Sequence, residues 1–256
     1  MRSLDLPDES GRPARRVPED GVAFIDLHCH TAASFDSLAD PLKVIRAAAD
    51  RGLTHLVITD HDRIDAALRA RDAAPAGLTV IVGEEVKSAA GDLICVFLER
   101  PIPPGLPPAE TIGLVREQGG LVGIPHPFDK YRNSTGKAEE ELEAIASLVD
   151  WVETFNARVV LREGNERAAV FAARVGLPGV AVSDAHSLLE VGVASTRLTG
   201  DPSTPLGLKA ALVNSADLQP GRATYFARGL TPLAKLINRL RGNGRVRSGR
   251  DDVGSR

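Results

Sequence analysis

The segment Val22-Ala23-Phe24-Ile25-Asp26-Leu27-His28-Cys29-His30 couples a buried strand to two imidazoles. Its apolar run is short and includes β-branched and aromatic residues, the composition of a strand covered on both faces. His28 and His30 stand at i and i+2, so an extended chain projects them to one face. Asp40-Pro41 then supplies an N-cap and a first helical residue, and the helix Leu42 to Asp50 stops ahead of Gly52.

The same arrangement repeats along the chain. Leu56-Val57-Ile58 runs into Thr59-Asp60-His61-Asp62, and Leu78 to Val82 runs into Gly83-Glu84-Glu85. Leu93 to Leu98 reads as a further strand. Leu121 to Ile124 runs into Pro125-His126-Pro127, Trp151 to Phe155 into Asn156, and Val180 to Val182 into Ser183-Asp184-Ala185-His186. Helices are predicted over Ile64 to Ala73, Ala109 to Glu117, Glu139 to Leu148 and Glu166 to Val175; Pro101 to Pro108, with five prolines, is an extended loop. Such alternation predicts parallel β-α-β units. The reactive side chains sit at the C-terminal ends of the strands, where α/β barrels and open α/β sheets build their sites.

Five of the six histidines, His28, His30, His61, His126 and His186, fall at those ends; His55 does not. A lone buried imidazole is usually a packed core residue, but five at one end of a sheet point to metal. Imidazole together with carboxylate suits zinc, iron and manganese, and Asp36, Glu85 and Asp184 would balance the charge that neutral rings leave uncompensated. Divalent ions bring the pKa of bound water toward ~7, and two of them about 3.5–4 Å apart can clamp the attacking and leaving oxygens of a phosphoryl group. A nearby Asp or His can handle the proton.

Composition narrows the options. The 256 residues suffice for one large α/β domain, and with aromatics at 4% the core has to be aliphatic. A net charge of −3 argues against general affinity for nucleic acid, leaving room for a short oligonucleotide substrate only. Cys29 and Cys95 cannot form a disulfide framework, and no apolar run reaches the ~20 residues that span a bilayer. The N-terminus, MRSLDLPDESGRPARRVPEDG, lacks the apolar stretch of a secretory signal. The expectation is a cytoplasmic protein with no membrane partner. The sequence holds no Walker loop, no G-x-G-x-x-G fingerprint and no nucleophile elbow.

The motifs Asp26-Leu27-His28-Cys29-His30-Thr31, Thr59-Asp60-His61, Gly83-Glu84-Glu85, Pro125-His126-Pro127 and Ser183-Asp184-Ala185-His186 resemble, in order and spacing, those of the PHP (polymerase and histidinol phosphatase) superfamily. The resemblance runs from about Phe24 to about Leu198 and implies a distorted seven-stranded β/α barrel holding two or three divalent ions of Mn, Fe or Zn. By the same resemblance, His28, His30, Glu85 and Asp184 hold one ion, and Asp36, His61 and His186 a second. Glu85 and His126 reach a third. Asp40 is the weaker alternative to Asp36. The third ion's further ligand is often a histidine in the family; here Asp92 takes that place, with a turn residue as its plain reading. Asp184, His186 and His61 are the expected catalytic groups. Asp26 and Asp60 are expected to orient ligands. Glu85 is chosen over Glu84 by the family's G-x-E spacing, and Cys29 reads as a small buried residue.

The implied activity is hydrolysis of a small phosphomonoester: a nucleoside mono- or bisphosphate, or a sugar or amino-alcohol phosphate. Lys130, Arg132 and Arg158 are candidate phosphate contacts, against a plain reading as solvated loop cations; Asn156 either binds substrate or holds a loop. An exonuclease on short RNA or DNA and a TIM-barrel amidohydrolase are the alternatives. Residues 1–20 are expected to be a flexible leader, 21–230 the catalytic domain and 231–256 a basic helix with a disordered tail. Leu233, Leu236, Ile237 and Leu240 share a helical spacing, and from Arg228 onward eight Lys/Arg face two Asp. Packing on the barrel is the plain reading of that helix, and membrane or RNA contact the alternative.

Overall fold

The computed structural model describes residues 15–17, 19–130 and 139–244. The first half of the chain forms β1 (Val22–Asp26), α1 (Pro41–Asp50), β2 (His55–Ile58), α2 (Asp65–Asp72), β3 (Thr79–Ser88), β4 (Gly91–Val96), α3 (Pro108–Glu117) and β5 (Leu121–Ile124). The second half adds α4 (Glu139–Ala146), β6 (Trp151–Asn156), α5 (Arg162–Val175), β7 (Gly179–Val182), β8 (Ser195–Thr199), α6 (Pro205–Ser215), β9 (Asp217–Gln219) and α7 (Tyr225–Leu240). Local chemistry sets several boundaries. The Asp40 carboxylate caps α1 by accepting from the N–H groups of Leu42 and Lys43 at 2.9 and 3.1 Å. Gly176 ends α5 in the left-handed conformation at φ 70°.

All the strands join one sheet in the order β7-β6-β5-β4-β3-β2-β1-β8-β9. The barrel class expected from the sequence holds, but the expected seven strands are corrected to nine among the described residues, and the sheet is mixed rather than built of parallel units alone. The cause is local: only Ala89 and Ala90 separate β3 from β4, and a connection that short can only make an antiparallel pair. β8 and β9 are antiparallel additions beside β1.

The sheet nearly closes on itself. Beyond the ends of β1 and β7, Cys29 pairs in parallel with Ala185. The Asp184 N–H donates to the His28 carbonyl at 2.9 Å, and the His30 N–H to the Ala185 carbonyl at 2.8 Å. Lower down, the Thr196 hydroxyl on β8 spans the gap, meeting the N–H and the carbonyl of Ala181 at 2.9 and 3.0 Å.

The strands alternate between two apolar clusters. Leu56, Ile58, Val80, Val82, Val122 and Val152 pack outward against helical residues such as Val44, Ala67, Val115 and Phe171. Ile25, Val57, Ile81, Ile94, Trp151, Val180 and Val182 fill the interior, and Leu208, Ala211 and Leu212 of α6 join that inner cluster. The barrel is therefore solid rather than hollow. Along β3 this alternation puts Glu85 on the interior face with Ile81, and Glu84 on the outer face, where its Oε2 accepts from the Ile102 N–H at 2.9 Å.

Of the expected leader, residues 1–14 and 18 lie outside the described residues, and so does the tail after residue 244. Arg16 is held, its N–H donating to the Arg51 carbonyl at 3.1 Å. The C-terminal helix starts earlier than the expected 231. It packs through Ala227, Ala234 and Asn238, leaving Tyr225, Phe226, Leu233, Leu236 and Leu240 exposed.

Candidate metal centre

Among the described residues, three groups of ligand atoms converge at the C-terminal end of the barrel. They are His28 with His30 and Glu85; His30 with Asp36, His61 and His186; and His28 with His126 and Glu153, the atoms within each group lying inside 4.8 Å of one another. Each element contributes from its end: His28 and His30 follow β1, His61 follows β2, Glu85 lies in β3, His126 follows β5, Glu153 lies in β6, and Asp184 and His186 follow β7.

Glu85 is the hub. Its Oε2 lies 3.3 Å from His28 Nε2, 3.2 Å from His30 Nε2 and 3.2 Å from His61 Nδ1, and its Oε1 lies 3.6 Å from His126 Nε2. Asp184 Oδ1 lies 3.7 and 3.6 Å from the Nε2 atoms of His28 and His30. Asp36 Oδ2 stands 3.4 Å from His61 Nε2 and 3.3 Å from His186 Nε2. The backbone bends to achieve this. His126 and Asp184 hold positive φ values of 23° and 52°, a strained conformation for residues with a Cβ that persists at sites where the surroundings enforce it. The Asp184 N–H to the His28 carbonyl, and the His126 N–H to Glu153 Oε2 at 3.0 Å, supply that enforcement.

The ring tautomers follow from the outer partners. His186 Nδ1 lies 2.8 Å from the Asp184 carbonyl, which can only accept, so that nitrogen carries the hydrogen. His28 Nδ1 lies 2.7 Å from Glu153 Oε1, with the same consequence. Each ring then turns the lone pair of Nε2 inward: His186 toward Asp36 Oδ2, His28 toward His30 Nε2 at 2.9 Å. Acceptors crowded at these distances call for a positive charge between them, a proton or a metal ion. Asp36 Oδ1 adds to this, since it is buried with no hydrogen-bond partner among the described residues. With metal–ligand bonds of about 2.0–2.2 Å, neighbouring donors around one ion stand roughly 3 Å apart, close to the spacings found here. The residues fit divalent ions.

Electrostatics agree. Burial would push the Asp36 carboxyl up, but His186 and His61 outweigh it and hold it well below the usual carboxylate range. Glu85 is likewise held low against burial by His61 and His28. Burial and the neighbouring His186 lower His30 to about 4, so that ring is neutral and free to ligate. Burial would lower His28, yet Asp184, Glu153 and Glu85 together raise it well above the imidazole range, so without an ion a proton occupies Nε2 and a bound ion would displace it.

Several expectations change. Asp92 is half-buried and stands opposite Lys87, a full strand repeat from Glu85, which stands opposite Ile94. The register thus leaves it outside all three groups, and the expected ligand Asp92 is corrected. The carboxylate beside His28 and His126 is Glu153, but its oxygens are taken by His28 Nδ1, the His126 N–H and Asn156, so it supports the ligands rather than replacing Asp92. Asp26 orients no ligand ring. It accepts from the N–H groups of Ser183 at 3.0 Å, Gly192 at 3.3 Å and His28 at 3.4 Å, tying the chain after β1 to that after β7. Asp60 accepts from the N–H and the hydroxyl of Thr31 at 2.6 and 2.7 Å, shaping the turn after His30. Asp40 is spent on the helix cap. Arg158, a candidate phosphate contact, is buried 2.6 Å from Glu190 and donates to the Thr231 hydroxyl at 2.8 Å, so its donors are engaged within the fold. Asn156 donates at 2.9 Å to both Glu153 Oε2 and Asp184 Oδ2, which makes it a tie between two carboxylates. Lys130 is exposed, 3.4 Å from Glu163, and Arg132 lies outside the described residues.

Sequence reasoning missed Glu153, Ser34 and Glu190. The Ser34 hydroxyl accepts from the His61 N–H at 3.3 Å and meets His30 Nδ1 at 3.3 Å. Glu190 accepts from the His186 N–H at 3.1 Å. A signal existed for Glu153: a carboxylate inside an apolar strand requires buried partners.

The family model for the PHP domain matches residues 26–153, and a model for a PHP-associated region matches residues 162–215. The chain belongs to the PHP domain family. One relative of this PHP protein, an uncharacterized protein of Methanocaldococcus jannaschii, is 34% identical over 173 residues, covering 66% of this chain and 68% of the relative. Among solved structures, a two-domain protein of Bacteroides vulgatus, described as containing a predicted PHP-like metal-dependent phosphoesterase, superposes with a TM-score of 0.67 at 20% identity over 82% of this chain and 69% of its own. A lesion-specific endonuclease from Pyrococcus furiosus superposes with a TM-score of 0.56 at 17% identity, covering 77% of this chain and 57% of the endonuclease. At these identities the two structures speak for the PHP fold alone. No helix among the described residues is long and apolar enough to cross a membrane.

Proposed function

We propose that this PHP protein is a metal-dependent phosphoesterase that hydrolyses a small phosphomonoester, such as a nucleoside mono- or bisphosphate or a sugar or amino-alcohol phosphate. The observation that carries the reading is the inward convergence of five imidazoles on Glu85, Asp36 and Asp184, with ring tautomers that leave lone pairs facing one another.

His28, His30, Glu85 and Asp184 would hold one divalent ion, and Asp36, His61 and His186 a second. Glu85 Oε1 and His126 Nε2 offer a third position. When bound, such ions supply a nucleophile at neutral pH and stabilise the charge that develops on a phosphoryl group. The protein's own part is to orient and to exclude water. Glu153 and the Asp184 carbonyl fix the rings of His28 and His186. Asn156 steadies Asp184. Asp184, His186 and His61, expected from the sequence to be catalytic, would act as ligands rather than as proton donors: His186 spends its one hydrogen on the Asp184 carbonyl, and His61 faces Glu85 and Asp36 with its two nitrogens. Lys130, exposed on the loop after His126, is the remaining described cation of the expected phosphate contacts. The two buried free thiols, Cys29 and Cys95, are consistent with a cytoplasmic setting.

The test is phosphate release by the Mn²⁺-loaded protein from a panel holding a nucleoside monophosphate, a 3′,5′-bisphosphate, histidinol phosphate and an aryl phosphate, with His28→Ala as the contamination control. Release that disappears in the variant is expected. A metal-loaded protein that releases nothing would sink the monoesterase reading. Cleavage of a labelled oligonucleotide would then favour diester chemistry, the second reading, which the fold shared with the Pyrococcus furiosus endonuclease supports.

A further inference from the structure

The helix α7 lies beyond both family-matched segments, the second of which ends at residue 215. Its side chains nevertheless reach the turn that carries Asp36. Asn238, 2% exposed, directs its Nδ2 at three backbone carbonyls: Ser34 at 3.2 Å, Phe35 at 3.1 Å and Ser37 at 2.9 Å. These carbonyls flank Asp36 on both sides. An amide NH₂ has two hydrogens, so the three acceptors share them, and no other residue type of this size offers two donors at one atom. Asn238 lies in the last turn of α7, and Asn is a weak helix former because its short polar side chain competes with the backbone hydrogen bonds. Its neighbours on the packing face, Ala227 and Ala234, are small and apolar.

The rest of the contact reinforces the same turn. Asn243 Nδ2 donates to the carbonyls of Ala32 and Ala33 at 3.3 Å each, and its Oδ1 accepts from Arg63 at 3.3 Å. The Lys235 ammonium sits over the Phe35 ring, 5.4 Å from its centroid. Ser37 Oγ donates to the His186 carbonyl at 3.0 Å, linking the turn to a second member of the same ligand group.

We infer that Asn238 is a positioning residue of the metal centre: its side-chain amide fixes the turn around Asp36 and so sets the affinity of the ion position that Asp36, His61 and His186 share. The inference rests on the metal-dependent reading of the site. Without the amide, the three carbonyls lose their shared donor, and the turn relaxes to find water or other partners. Asp36 then no longer meets His61 and His186 in one place.

The test joins metal binding to hydrogen exchange. Mn²⁺ titration by calorimetry on wild type, Asn238→Ala, Asp36→Ala and the double variant should show Asn238→Ala weakening one ion by about 10–100-fold, the range for losing an outer partner of a ligand. In the Asp36→Ala background the same change should add nothing, because the effect acts through Asp36. Amides of residues 32–39 should exchange faster in metal-free Asn238→Ala than in metal-free wild type. Leu236→Ser, on the exposed side of the same helix, should leave both readouts unchanged. If the alanine variant does not fold, Asn238→Ser carries the test. Wild-type affinity in the Asn238 variants, an undiminished penalty on top of Asp36→Ala, or an equal loss in Leu236→Ser would overturn the inference. Should the wild type bind no divalent ion, the metal reading fails by itself. The exchange arm still decides on the clamp, and unchanged protection at residues 32–39 would refute it.

Discussion

Glu153 Oε1 stands 2.7 Å from His28 Nδ1, on the side of the ring away from Glu85, whose Oε2 is 3.3 Å from Nε2. A neutral imidazole carries one N–H, and donating it to Glu153 leaves Nε2 as a ligand. Glu153 has no spare oxygen, since its Oε2 accepts from the His126 N–H and from Asn156. Its place is behind the ligand. Glu153→Gln should therefore keep the fold and weaken divalent-ion binding by about 10–100-fold in calorimetric titration. Unchanged affinity would mean that the His28 tautomer is set by something else.

Arg158 and Glu190 form a buried pair at 2.6 Å. Removing one partner strands the other charge, so Arg158→Leu should cost about 3–5 kcal/mol in urea unfolding, and the double variant Arg158→Leu with Glu190→Leu should recover part of it. A variant of normal stability with a raised KM would instead return Arg158 to the substrate.

His55, the one histidine outside the centre, has Thr54 and Ser203 hydroxyls at 2.9 and 3.0 Å from its ring nitrogens. Burial lowers its pKa, with Asp201 opposing. At a pH below about 6.5 the unfolded chain therefore takes a proton that the folded chain refuses. This contribution is fully present above the unfolded pKa and is lost as pH falls through it toward the folded value. Unfolding midpoints of wild type and His55→Asn should converge on acidification from pH 8 to pH 5.5. A gap that stays constant would show that His55 does not titrate differently in the two states.

Ions that bind only the folded centre add stability by mass action, about 2.7 kcal/mol at a hundred times Kd. Chelation should lower Tm, Mn²⁺ should restore it, and His28→Ala should blunt the response. An identical Tm with and without chelator in the wild type would count against a folded-state metal site.

Much of the centre was legible in the sequence because its ligands sit at strand ends in short motifs. His28, His30, His61, Glu85, His126, Asp184 and His186 meet as those motifs implied. Asp92 was misplaced because its position depends on hairpin register, which follows from pairing across β3 and β4. Asp26 and Asp60 read in the sequence as orienting ligands, but in the fold each has backbone N–H groups closer to hand.

By itself, then, the sequence determined the barrel class, the succession of strands and helices through His186, and the chemistry at the strand ends, because periodicity, caps and motif spacing act within a few residues. Only the tertiary structure decided which polar groups serve the centre from outside it. Glu153 lies 125 residues from His28, and Asn238 lies 203 residues from Phe35. Such partners are chosen by the closure of the barrel and the docking of α7, where every buried donor and acceptor must be satisfied at once, a condition imposed in space rather than along the chain.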